Sequence, residues 1–179
     1  MLLKIKETKM KTKISIILLG GLFLVGFTKA YTTDLKKGDV IDYIEVHKED
    51  REMMVYSNGK LLKTYDIALG FRPEGKKHFQ GDGKTPEGVY YINDKNPHSI
   101  AHKNLGISYP NSEDIKYARE NGMSPGGDIK IHGLMNKWSF YGSFHKYIDW
   151  TGGCIAVTNE EVDELYKHIK IGAKIKIFK

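Results

Sequence analysis

The chain is poor in cysteine, in long apolar runs and in net charge over most of its length, and each shortage excludes something. Its 179 residues hold one cysteine, Cys154, so no intramolecular disulfide framework can form and the fold must rest on a hydrophobic core. The longest uncharged apolar run, residues 14–27, falls short of the roughly 20 residues that span a bilayer as a helix. No cysteine follows that run directly, which excludes a lipoprotein anchor there. The formal net charge of +6 is misleading, because six lysines and one glutamate within residues 1–30 supply five of those charges and leave +1 for residues 31–179. A nearly neutral domain offers no electrostatic case for nucleic acid as a partner. Internal repeats and low-complexity segments are also absent.

The charged start has the shape of an export signal. Lys11 and Lys13 precede the apolar run, and Thr28-Lys29-Ala30 offers a small-residue cleavage site, with cutting expected after Ala30. Met10 is an alternative start, and an uncleaved anchor is the alternative to cleavage. The expected organisation is a signal peptide over residues 1–30 and one domain over residues 31–179. The domain would be exported to the periplasm or cell wall, without stable membrane insertion after cleavage.

Within the domain, β-rich segments dominate. Residues 40–46 and 52–56 read as strands, and Asn58-Gly59 reads as the tight turn into a third strand over residues 61–69. Residues 70–88, dense in glycine with Pro73 and Pro86, read as a long loop. Strands are expected at 89–93, 128–132, 154–157 and 174–178, with an extended stretch over 99–109. A short helix is expected over 112–121, capped by Ser112 and stopped by Gly122. A second is expected over 159–170, opened by a Thr158/Glu161 capping box, carrying an apolar stripe of Val162, Leu165, Tyr166 and Ile169, and stopped by Gly172. The pattern is that of a mainly β sandwich or barrel-like domain with a few short helices.

Residue types alone leave two readings of Cys154 open: a nucleophile, or a small buried core residue. The glycines beside it, Gly152 and Gly153, favour close approach of a carbonyl. The N–H groups of Gly152, Gly153 and Cys154 are candidate oxyanion donors. His132 ends an apolar strand beside Gly133 and is either the base of a thiol pair or a strand-end histidine bonded to a carbonyl. His145 is nearest to Cys154 in sequence. His98 and His102 are four apart, but Pro97 argues against the helix that would make that a metal-ligand spacing. His47, His78 and His168 read as solvated surface residues. Arg72, Lys76 and Lys77 belong either to a solvated face or to contacts with substrate carboxylates. The aromatic stretch Trp138, Phe140, Tyr141, Phe144 and Tyr147 divides between core packing and a groove or lid.

Ile131-His132-Gly133, followed by Thr151-Gly152-Gly153-Cys154-Ile155, resembles the motif pair of the L,D-transpeptidases of bacterial cell walls, the YkuD-like catalytic domain. Gly81 to Gly88, with its Thr85-Pro86-Glu87-Gly88 run before a strand, and Ser124 to Asp128 before the histidine strand fit the same pattern. The likeness covers residues 42–178. The wording Asp149-Trp150-Thr151 and Cys154-Ile155-Ala156-Val157 is similar to a Gram-negative subgroup, some of whose relatives hydrolyse rather than cross-link. Where many members carry His or Lys two residues before the cysteine this chain has Gly152, and where many carry Arg two residues after it there is Ala156. His145 is a candidate for the space so vacated.

The resemblance implies a mainly β sandwich fold and no metal or organic cofactor. It assigns Cys154 as acyl-accepting nucleophile, His132 as base and then acid, and the Gly133 carbonyl as the group orienting the imidazole. It places Thr151, Gly152, Gly153 and His145 around the oxyanion and substrate. The implied partners are peptidoglycan tetrapeptide stems, with an envelope protein as a further acceptor. The implied reaction is thioester formation with release of D-alanine, then transfer to an amine. A hydrolase of the same fold and a non-catalytic wall-binding module are the alternatives.

Overall fold

The computed structural model describes residues 34–179, without the side chains of residues 138–141 and 143. The expected signal peptide, and the side chains of Trp138, Phe140 and Tyr141, lie outside the described residues.

The chain opens as a meander. β1 (Ile41–His47) pairs antiparallel with β2 (Glu52–Ser57), which pairs antiparallel with β3 (Lys60–Asp66). Asn58 and Gly59 both take positive φ, 48° and 78°, as a tight hairpin requires. β4 (Gly88–Ser99) and β5 (His102–Ile107) form a second hairpin. After α1 (Ser112–Glu120) come β6 (Lys130–His132), a run of 3-10 turns (Asn136–Tyr147), β7 (Ile155–Ala156), α2 (Asn159–His168) and β8 (Ile169–Phe178).

β8 enters the middle of the sheet, parallel to β1 and antiparallel to β4. Its alternation explains why: Ala173, Ile175 and Ile177 are buried while Lys174 and Lys176 are not, so one face joins the core. Burying each isoleucine contributes about 1.5–3 kcal/mol. The strand order is β3-β2-β1-β8-β4-β5-β6-β7. The sheet curls, because the chain leaving β3 crosses to the opposite edge. Ala68 and Ala156 exchange backbone hydrogen bonds of 2.9 and 2.8 Å, and Phe71 N–H donates to the Thr151 carbonyl. The two sheet ends are thus tied together around a core that includes Ile44, Val55, Tyr90, Leu105, Ile131 and Ile155. The mainly β fold read from the sequence is the fold observed.

Local details differ from expectation. β4 runs on to Ser99, through Pro97, because its far half pairs with β5 as the outer arm of a hairpin. The cap of α1 is Asn111, not Ser112: Asn111 Oδ1 accepts from the N–H groups of Glu113 and Asp114, and Asp114 bonds back to the Asn111 N–H. Gly172 does not stop α2. The helix ends where Ile169 turns extended, and Gly172, with φ 86°, sits inside β8 beside its irregularity against β1. The Thr158/Glu161 capping box is present.

Candidate active site

β6 and β7 run parallel, with His132 opposite Ala156. Side chains alternate along a strand, so Cys154, two residues before Ala156, projects to the same face as His132. β5 lies on the other side of β6 with Asn104 opposite His132, and directly paired residues share a face. These three side chains, with Asp128, Lys130 and Trp150, line one cleft of about 370 Å³.

His132 is buried, and its Nδ1–H donates to its neighbour's carbonyl, Gly133 O, at 2.6 Å. That bond fixes the tautomer and leaves Nε2 as the free base. The indole of Trp150 meets the imidazole edge-on, ring centres 5.7 Å apart. The His132–Gly133–Leu134 segment is gripped by residues that follow Cys154 in the chain. Val157 N–H donates to the His132 carbonyl at 2.9 Å, and Leu134 N–H donates to Asn159 Oδ1 at 2.9 Å. A Cβ at Gly133 would lie 2.5 Å from that Oδ1 and 3.1 Å from Val162 Cγ1, so only glycine permits this approach.

The cysteine loop is organised by Thr151. Its Oγ1 donates to the Cys154 carbonyl at 2.7 Å and accepts from Gly153 N–H at 3.1 Å. The Gly153 N–H is therefore engaged and is not a free oxyanion donor, and Thr151 shapes the loop as well as bordering the cleft. Gly153 itself packs on the Lys84 carbonyl of the long 70–88 loop.

That loop is fixed rather than solvated. Lys48 Nζ donates to the Gly75 and Thr85 carbonyls and pairs with Glu87, and Thr85 Oγ1 accepts from Gly70 N–H. Asp82 accepts from three backbone N–H groups and from Lys77. Burial opposes ionisation of Asp82, but Lys77 and those N–H groups hold its carboxyl below the usual range. Lys76 pairs with Asp114. These two lysines serve the loop and are not exposed contacts for substrate.

His145 is buried against the edge of Trp150, ring centres 6.2 Å apart, and does not line the cleft. The space beside Gly152 is open instead, since a Cβ there would meet nothing within 4 Å. His168, read as a surface residue, is buried with its Nδ1–H donating to the Asp39 carbonyl at 2.9 Å.

Burial pushes the Cys154 thiol up, and Asp128 adds to this, while the backbone N–H and charge of Lys130 pull the other way. The Asp128 carbonyl, 3.7 Å from Sγ, is within reach as acceptor for the thiol. Burial pulls His132 down, the Gly133 hydrogen bond opposes this and the Lys130 charge adds to it. Both shifts favour a neutral thiol and a neutral imidazole near pH 7. Alkylation of Cys154 by iodoacetamide is expected to be slow at pH 7 and to rise tenfold per pH unit through and above the ordinary thiol range near about 8.5. The imidazole should remain a free base below about pH 6.5. A plateau in alkylation already below pH 7 would mean a preformed thiolate–imidazolium pair and contradict this electrostatic reading.

A sequence profile described as YkuD, L,D-transpeptidase catalytic domain, matches residues 41–177. The chain belongs to the L,D-transpeptidase catalytic-domain family. The Escherichia coli (strain K12) protein named "Putative L,D-transpeptidase YafK" is 30% identical in an alignment that covers 79% of this chain and 52% of that one. Among solved structures, the helical cell shape determining protein Pgp2 from Campylobacter jejuni is similar with a TM-score of 0.60 at 27% identity, covering 79% of this chain and 49% of that one. An L,D-transpeptidase from Mycobacterium smegmatis shares the fold at 13% identity, with a TM-score of 0.51 over 76% of this chain and 58% of that one. The chain spans about half the length of the first two relatives. Among the residues of this L,D-transpeptidase domain that were not singled out from the sequence are Asn104, on the cleft wall, and Asn159, which holds the loop after His132. Asn159 had a signal, its place as first residue of a capped helix. Asn104 had none beyond its strand.

Proposed function

We propose that this L,D-transpeptidase-family domain is a cysteine acyltransferase acting on peptidoglycan tetrapeptide stems after export to the cell envelope. The observation that carries the reading is the shared cleft of Cys154 and a His132 whose tautomer is set by the Gly133 carbonyl. His132 Nε2 takes the thiol proton as Sγ attacks the carbonyl of the diamino acid that precedes the terminal D-alanine. The N–H groups of Gly152 and Cys154 hold the oxyanion. As the C–N bond breaks, His132 returns the proton to the amine of D-alanine, and a thioester remains on Cys154. His132 then deprotonates an incoming amine, from a second stem or an envelope protein, and the new amide bond expels the thiol. Proton and acyl group both balance without a cofactor.

The open space beside Gly152 favours a second reading in which water resolves the thioester and the enzyme is an L,D-carboxypeptidase or amidase. Incubating the protein with a disaccharide-tetrapeptide and reading products by mass spectrometry separates the two. Transfer predicts a Cys154 adduct, free D-alanine and cross-linked dimers. Hydrolysis predicts tripeptide and D-alanine without dimers. Absence of adduct and product would defeat both and leave a non-catalytic wall-binding module.

A further inference from the structure

Asn104 is a buried carboxamide with its acceptor oxygen left unused. It is 4% exposed, and its Oδ1 is enclosed without a hydrogen-bond partner among the described residues. Its backbone is committed to the sheet, opposite Asn96 in β4 and His132 in β6. Its side chain lines the cleft that holds His132 and Cys154. Leaving such a group unpaired is costly, and replacing it with an apolar side chain of the same shape would be neutral or favourable for folding alone. An unpaired polar group of this kind, placed beside the reacting pair, has the character of a site prepared for a ligand.

The chemistry of the ligand follows from the group. A carboxamide presents an acceptor and two donors side by side, the complement of a peptide unit, which presents one N–H and one C=O. It carries no charge, so it suits neither a free carboxylate nor an ammonium group specifically. We infer that Asn104 is a substrate-binding residue whose carboxamide hydrogen bonds a backbone amide of the acyl donor's stem peptide, beside the bond that Cys154 attacks. The inference rests on the reading of this cleft as a stem-peptide site. Asn104 aligns the donor strand-like along the β5–β6 face, and it selects for an intact peptide unit at that position.

The test uses two variants and two independent readouts. Asn104→Ala enlarges the cleft and so cannot block substrate. It is expected to lower kcat/KM on the disaccharide-tetrapeptide by about 10- to 100-fold, with most of the change in KM. Asn104→Leu keeps the volume and removes the unpaired group, and its Tm should equal or exceed that of the parent protein. Unchanged kcat/KM in Asn104→Ala would overturn the inference. A Tm several degrees lower in Asn104→Leu would do the same, because it would show that the carboxamide serves the fold. If the parent protein neither forms the adduct nor turns the tetrapeptide over, the proposed function fails and this inference with it, whereas a parent that turns over with an unaffected Asn104→Ala overturns this inference alone.

Discussion

Cys154→Ala should lower turnover by about 10⁴-fold or more while leaving the protein folded. The magnitude follows from Cys154 being the one thiol of the sequence: removing a covalent nucleophile leaves only the catalysis supplied by binding and oxyanion donors. Stability should change by about 1 kcal/mol or less, because the hydrogen bond lost, Sγ to the Asp128 carbonyl at 3.7 Å, is long. The loop keeps its Thr151 bonds, since they involve the Cys154 backbone rather than its side chain. His132→Gln provides the complement. It retains a polar side chain but cannot carry the proton, and a loss of about 10²- to 10⁴-fold is expected. Cys154 in that variant should still alkylate at high pH, since its thiol is raised by burial rather than held by the imidazole. Product assays on the tetrapeptide, with circular dichroism melts of each variant, check both. Substantial turnover by Cys154→Ala would sink the covalent mechanism.

What was legible in the sequence was local. Asn58-Gly59 announced its hairpin, the lysine–isoleucine alternation of residues 174–178 announced a half-buried strand, and Thr158 with Glu161 announced a helix start. Each is a case where neighbouring residues alone decide the backbone. The cap of α1 was misread as Ser112 although a deciding signal was present: Asn111 and Ser112 are both good caps, and the acid three positions on, Asp114 rather than Ile115, favours Asn111. The site was legible only as motifs. Nothing local says that β6 and β7 lie side by side, because 22 residues and a run of 3-10 turns separate them, and parallel pairing is set by the curl of the whole sheet. For the same reason the tie between Ala68 and Ala156, the burial of Lys48 beneath a glycine-rich loop and of Lys77 within it, and the position of Asn104 opposite His132 could not be seen. His145 misled because closeness in sequence to Cys154 was its main recommendation, whereas the fold packs it against Trp150.

Gly153→Ala should cost at least about 2 kcal/mol in stability and about 10²- to 10³-fold in rate, whereas Gly152→Ala, one residue away, should cost little in stability. The two glycines differ in what surrounds them. Gly153 has φ 136°, and a Cβ there would lie 2.6 Å from the Lys84 carbonyl oxygen and 3.2 Å from Ile129 Cδ1. The carbonyl belongs to backbone fixed by the Asp82 and Lys48 hydrogen bonds, so it cannot withdraw as a flexible side chain would. The strain must move the cysteine loop instead. Displacing Gly153 N–H from Thr151 Oγ1 disturbs the Thr151 bond to the Cys154 carbonyl, and with it the Gly152 and Cys154 N–H groups proposed to hold the oxyanion. At Gly152 a Cβ meets nothing within 4 Å, so Ala there fills open cleft and acts only on what binds beside the thiol. Thermal melts and kcat on the tetrapeptide distinguish the pair. Equal losses of stability at both positions would refute the view that Gly153 is held by the loop beneath it, and an unaltered kcat in a destabilised Gly153→Ala would separate loop packing from oxyanion binding.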